Sequence, residues 1–128
     1  MKTAIYMAHR YSGTPEEQHQ RNESAAFYHA KFIEAGLIVI NPVSHSHRTA
    51  QYLDPAVNNH ETWMEQDWVL YQAAKVLVVI TDFDFRKSSG VADEMKWASD
   101  DDKPTYYVNR DNFLNAVADI KRMEAQHA

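Results

Sequence analysis

The sequence predicts an α/β domain with a small, doubly wound, mostly parallel sheet of four to five strands and helices on both faces. Short apolar segments alternate along the chain with longer helical ones, in the order β-α-β-α-β-α-β-α. The segment KVLVVITD (75–82) is almost entirely aliphatic, which is typical of a central strand in a parallel sheet. A length of 128 residues indicates one domain, spanning 1–128.

The start of the chain predicts a strand followed by a well-capped helix. Apolar residues over Lys2–Met7 form the first predicted strand. Thr14 is placed to cap the helix, Pro15 suits its first position, and Glu17 completes a capping box. Gly36 is placed to end this helix.

The region from Pro42 to about Asn59 is predicted to be irregular, because it is polar and contains two prolines with several His and Asn residues. A loop of this length in a small domain is usually functional or partly disordered. The other predicted elements are strands over 37–41, 75–82 and 105–109, and helices over about 61–74, 89–99 and 111–125. Together they indicate a Rossmann-like or flavodoxin-like architecture.

Composition narrows the classes of function. The net charge of −5, from 13 basic and 18 acidic residues, argues against an extended nucleic-acid partner but permits a small anionic ligand. The lack of cysteine excludes thiol catalysis and thiolate metal sites, and fits a cytoplasmic location. No apolar run approaches the roughly 18 residues of a membrane span. We therefore expect no membrane partner, and nothing in the composition calls for a cofactor.

Ligands of doubly wound sheets bind beyond the carboxyl ends of the strands, and the segment KSSGVADE (87–94) follows the central strand. Ser88 and Ser89 offer hydroxyl groups, and Gly90 lets the backbone approach a ligand. A helix beginning here would suit a phosphate, with Glu94 reaching toward the adjoining sugar. The alternative is an ordinary serine N-cap with a nearby acid.

Two further candidates are a tyrosine and an acid in apolar surroundings. Tyr6 ends the first strand, with His9, Arg10 and Ser12 just beyond it, and Arg10 could bind a phosphate. The alternative for Tyr6 is simple packing at the rim of the sheet. Asp67 falls within the apolar stripe of its helix, where an acid is costly unless it is paired or used. The alternative is that another helix face is buried and Asp67 is solvated.

The segment SHSH (44–47) carries alternate histidines, His45 and His47. Alternate histidines can ligate a metal, but the chain has neither Cys nor an HExxH pattern. We therefore expect a loop that contacts a base and no metal site.

These segments together resemble the nucleoside 2-deoxyribosyltransferase superfamily. EQDWVLYQAAKVLVVITD (65–82) and SSGVADEMKWA (88–98) are similar to the branch that hydrolyses the N-glycosidic bond of nucleoside 5′-monophosphates, and to its short uncharacterised relatives. That branch has an acid in an EQD-like helix, then an apolar strand and an S-x-G-V-x-x-E segment. IYMAHRYSG (5–13) resembles its first strand and loop, with Tyr6 at the matching place.

The resemblance implies a role for each matching residue. Glu94 would attack the anomeric carbon and form a glycosyl ester, as in retaining glycosidases. Tyr6 would orient Glu94, and Asp67 would contact the sugar hydroxyls or protonate the departing base. Ser88 and the backbone at Gly90 would bind the 5′-phosphate. The start of the helix would help keep Glu94 ionised.

Departures from the family pattern keep other functions open. The transferases carry an Asp six residues before the nucleophile, where this chain has Ser88, and this difference favours a phosphate over a free hydroxyl. The hydrolases carry an Arg where this chain has Ser12, so Arg10 is the nearest replacement. The alternatives are a deoxyribosyltransferase and a non-catalytic nucleotide-binding module.

The resemblance also implies a homodimer or larger homo-oligomer, because family members often share a site across an interface. Asn109 ends the fourth predicted strand, where it could reach its own site or a neighbour's.

Overall fold

The computed structural model describes residues 4–126, so the predicted strand start at Lys2 lies outside the described residues. Four parallel strands form one sheet in the order β2-β1-β3-β4. The strands are β1 (Ala4–Ala8), β2 (Ile38–Ile40), β3 (Val76–Ile80) and β4 (Thr105–Val108). The helices are α1 (Pro15–Glu34), α2 (Pro42–Ala50), α3 (His60–Gln72), α4 (Ser89–Asp100) and α5 (Phe113–Gln126), with a 3-10 turn over Phe85–Lys87 before α4.

The predicted fold class is confirmed, because helices cover both faces of this Rossmann-like sheet. Successive side chains of a strand point to opposite faces. Met7 and Val78 therefore pack with α1 and α5 on one face. Tyr6 and Leu77 pack with α3 and α4 on the other. Burial on both faces explains why β3 is continuously apolar.

Local signals at both ends of α1 act as the sequence predicts. The Thr14 side chain accepts a hydrogen bond from the Glu17 backbone N–H at 3.2 Å, and the Glu17 carboxylate accepts one from the Thr14 N–H at 3.0 Å. Gly36 adopts a φ of 87°, a left-handed conformation that favours glycine and ends the helix.

The prediction of an irregular region from Pro42 to Asn59 is wrong for its first half, which forms helix α2. The side chain of Asn41 caps this helix by accepting a hydrogen bond from the Ser44 N–H at 3.2 Å. Pro42 occupies the first turn, where no backbone N–H is needed. A polar composition with proline is therefore compatible with a short, capped helix.

The fold gathers the predicted site segments at one edge of the sheet. The loop after β1, the start of α2 and the loop between β3 and α4 all follow the carboxyl ends of parallel strands.

None of the helices in residues 4–126 is long and apolar enough to cross a membrane.

Candidate functional site

A cavity of about 580 Å³ opens at this edge of the sheet. Its volume lies within the usual range for small-molecule sites. The loop after β1 and helices α1 to α4 all contribute to its wall. Of the residues predicted from sequence, its lining contains His9, Ser12, His47, Asp67, Ser88, Ser89, Gly90 and Glu94.

Glu94 and Tyr6 form a buried pair at the base of the site. The Tyr6 hydroxyl donates a hydrogen bond to a carboxylate oxygen of Glu94. Tyr6 is fully buried and Glu94 is only 4 % exposed. The Tyr6 ring also packs edge-on against Tyr71, with ring centroids 5.7 Å apart. Tyr6 is therefore more than a rim residue, because it holds a carboxylate that faces the cavity.

Burial raises the pKa of Glu94 well above its usual value, although the hydrogen bond from Tyr6 opposes this shift. Burial thus acts against the ionised form that the resemblance implies for Glu94. Glu94 lies six residues beyond the N-cap Ser88, whereas the helix dipole acts mainly within the first turn. Burial together with the carboxylate of Glu94 also raises the pKa of Tyr6, which remains a hydrogen-bond donor.

Asp67 is buried, so the alternative in which it is solvated is wrong. Only 8 % of the residue is exposed, and its Oδ1 has no hydrogen-bond partner among residues 4–126. Burial raises the pKa of Asp67 to about 6. A ligand hydroxyl or ring nitrogen in the cavity could satisfy this oxygen, which is otherwise costly to bury.

The start of α4 forms one wall of the cavity. The Ser88 side chain caps the helix by accepting a hydrogen bond from the Val91 N–H at 3.2 Å, so the N-cap interpretation is confirmed. The backbone N–H groups of Ser89 and Gly90 have no acceptor inside the helix, as at any helix start. Ser88 therefore both caps α4 and lines the cavity.

Gly90 is not needed for close packing within the chain. A Cβ atom placed there would lie 3.5 Å from the Met64 side chain and 3.8 Å from Ser88 Oγ, which are ordinary contacts. The residue lines the cavity, so its missing side chain leaves space for a ligand.

The loop after β1 contributes His9 and Ser12 but not Arg10. His9 is buried, and its ring nitrogens contact Ser24 Oγ at 2.9 Å and the Arg10 carbonyl at 2.7 Å. Burial lowers the pKa of His9. The Arg10 guanidinium instead donates to the Asp84 carbonyl at 3.4 Å and does not line the cavity.

Arg21 organises this loop and was missed in the sequence analysis. Its guanidinium donates hydrogen bonds to the carbonyls of Tyr11 and Ser12 and lies over the Phe83 ring, 5.6 Å from its centroid. A signal for it does exist in the sequence. Arg21 shares the buried stripe of α1 with Ala25, Tyr28 and Phe32, at helical spacing.

The two histidines of SHSH diverge because their segment is helical. Residues two apart on a helix point to nearly opposite sides. His47 lines the cavity and contacts the Tyr11 hydroxyl through Nδ1 at 2.7 Å. His45 faces a second depression, where His29 and Ser44 also lie. Within residues 4–126, no group of three or more His, Asp or Glu residues is placed to hold a metal.

Asn109 stabilises the turn between β4 and α5. Its Oδ1 accepts hydrogen bonds from the N–H groups of Asp111 and Asn112, both at 2.9 Å, and so forms the turn that leads into α5. The structure does not bring Asn109 into the cavity.

Comparison with known families gives one result. The family described as "Domain of unknown function (DUF1937)" matches residues 3–109. This range contains every site residue named from the sequence. No curated protein matches the chain significantly.

Proposed function

We propose that this chain, which belongs to the DUF1937 family, hydrolyses the N-glycosidic bond of a nucleoside or 2′-deoxynucleoside 5′-monophosphate. The observation that carries the proposal is the geometry around Glu94. This residue accepts a hydrogen bond from the buried Tyr6 and faces the same cavity as Asp67, whose Oδ1 has no partner among the described residues. Two carboxyl groups with different surroundings can divide the roles of nucleophile and acid in glycoside chemistry. The proposal also rests on the resemblance to nucleotide N-glycosidases.

In the first step, a Glu94 oxygen forms a bond to the anomeric carbon while the bond to the base nitrogen breaks. The base leaves with the bonding electron pair and takes a proton. Asp67 can supply that proton when it is protonated, because its pKa is raised to about 6. The hydrogen bond from Tyr6 favours the ionised form of Glu94, which the attack requires.

In the second step, water attacks the anomeric carbon of the glycosyl ester. The water proton passes to the carboxylate of Asp67, and the sugar phosphate leaves Glu94 free again. The N–H groups of Ser89 and Gly90 would hold the 5′-phosphate throughout, as helix N-termini commonly do. In the cell we expect a cytoplasmic homo-oligomer, in line with the same resemblance.

A non-catalytic nucleotide-binding module is the second candidate. It is favoured by the burial of Glu94, which raises the pKa of this residue and so disfavours the ionised form that acts as a nucleophile. A deoxyribosyltransferase would use the same ester but pass the sugar to a second base. These three functions differ in what they release and in their dependence on Glu94.

A base-release assay separates them. The purified protein is incubated with ribo- and deoxyribonucleoside 5′-monophosphates and with the matching nucleosides, and free base is measured by chromatography. Glu94→Gln removes the nucleophile, while Glu65→Gln changes an exposed residue of α3 and serves as the matched control. The proposal expects release from monophosphates, lost only in Glu94→Gln.

Other outcomes favour other functions. Release that requires a second added base would indicate transfer. No release from any substrate, with a nucleotide still raising the melting temperature, would contradict the enzyme and favour the binding module.

A further inference from the structure

The cavity contains few groups that could balance the charge of a phosphate. Among the described residues that line it there is no lysine or arginine, and two carboxyl groups, Asp67 and Glu94, are present. The side chains of its lining that can become cationic are His9, His47 and His60. If the ligand carries a phosphate, any cationic partner among the described lining residues has to be one of these histidines.

Two of the three histidines contact groups away from the start of α4. Both ring nitrogens of His9 contact groups of the protein, and burial lowers its pKa. His47 contacts Tyr11 at 2.7 Å and Gln51 at 3.4 Å, and it makes no described contact with α4. Neither histidine is therefore placed beside the free N–H groups at the start of α4.

His60 is placed at that point. It is the first residue of α3, and its Nδ1 lies 3.5 Å from Ser89 Oγ at the start of α4. Its Nε2 lies 2.9 Å from a carboxylate oxygen of Asp93, and this contact fixes the orientation of the ring. The His60 side chain is half exposed, so a ligand can reach it.

A second feature of the same helix indicates where the rest of the ligand lies. Asp67, with its buried and unpartnered Oδ1, is seven residues after His60, which places both on one face of α3. Two turns of helix separate them by about 10 Å. A nucleotide can span this interval with its sugar at Asp67 and its phosphate at His60.

We propose that His60, oriented by Asp93 and adjoining Ser89, recognises the 5′-phosphate and makes the site prefer nucleoside monophosphates to nucleosides. This inference rests on the proposed function, and it assigns the phosphate contact to His60 in place of Arg10. The imidazolium donates one hydrogen bond from Nδ1 to a phosphate oxygen and one from Nε2 to Asp93. No proton is transferred in this role.

The test is calorimetric titration of the common ribo- and deoxyribonucleoside 5′-monophosphates and the matching nucleosides. His60→Gln removes the charge, and His60→Arg keeps a cation at the same place. His45→Gln is the matched control, because His45 is exposed and lies outside the cavity. Asp93→Asn tests whether Asp93 orients the ring.

We expect His60→Gln to weaken monophosphate binding roughly 10- to 100-fold, the usual effect of a charge-assisted hydrogen bond. Nucleoside binding should be unchanged. His60→Arg should keep the preference for monophosphates, Asp93→Asn should reduce it to a smaller extent, and His45→Gln should leave it intact.

Two results with His60→Gln would overturn the inference: an equal loss of nucleotide and nucleoside binding, or an unchanged preference for monophosphates over nucleosides. It would also be overturned if the wild-type protein bound nucleosides as tightly as monophosphates, or bound neither. The proposed function fails separately. If the protein releases no base but still prefers monophosphates through His60, the proposed hydrolysis is wrong and the inferred phosphate contact stands.

Discussion

Replacing Asp67 with asparagine should stabilise the fold at neutral pH while it impairs the site. Burial raises the pKa of Asp67 from 3.8 to about 6. A shift of roughly two units corresponds to about 3 kcal/mol of folding free energy. Asparagine has nearly the same shape and carries no charge, so the variant avoids this cost.

The sign of the effect depends on pH. Because the folded state raises the pKa of Asp67, it binds the proton more tightly than the unfolded chain does. The resulting stability is complete below pH 3.8 and is lost as the pH rises through about 6. The wild-type protein should therefore lose stability over this interval, and Asp67→Asn should lose less.

Urea denaturation at pH 4 and pH 8 measures this difference. We expect the free energy of unfolding of Asp67→Asn to exceed that of the wild type by about 3 kcal/mol at pH 8 and by little at pH 4. Glu65→Gln, an exposed change on the same helix, should show no such dependence. Equal stability of Asp67→Asn and the wild type at pH 8 would refute the view that Asp67 is an uncompensated buried acid.

Three other substitutions test the surrounding geometry. Tyr6→Phe removes the hydrogen bond that lowers the pKa of Glu94, so the acid limb of the pH profile of kcat/KM should move to higher pH. If this limb does not move, Tyr6 does not influence the ionisation of the nucleophile. Gly90→Ala should raise stability by up to about 1 kcal/mol, because alanine favours the helix and its Cβ has room, yet weaken nucleotide binding measured by calorimetry. Arg21→Met should cost about 1–3 kcal/mol and speed amide exchange over residues 11–13, since two carbonyls lose their donor; unchanged exchange would contradict the anchoring role.

The elements that sequence predicts well depend on local signals. The capping box of Thr14 and Glu17, the stop at Gly36 and the aliphatic run of β3 each determine structure from neighbouring residues. The site edge follows from topology, because parallel strands end on one side of the sheet. Topology places Tyr6 and the segment that contains Glu94 near this edge, whereas their pairing is implied only by the family resemblance.

The remaining features depend on contacts between distant segments. Helix α2 buries only Pro42 among its residues and is held by its Asn41 cap and by packing against α1. Whether Asp67 is buried depends on which face of α3 meets α4, and the helix pattern alone permits two answers. His60 joins Asp93 and Ser89 across 33 and 29 residues of chain, which single-sequence spacing does not encode.

The central claim is that Glu94 is a nucleophile, and covalent trapping tests it most directly. The protein is incubated with nucleoside 5′-monophosphates whose sugar carries a 2′-fluorine in the arabino configuration. The electronegative fluorine destabilises the oxocarbenium-like transition state, so a glycosyl ester that forms breaks down slowly enough to be detected. The account predicts a sugar-phosphate adduct on the peptide that contains Glu94, absent in Glu94→Gln. Base release without any adduct, and with an inverted anomeric product, would contradict it, because water would then attack the sugar directly.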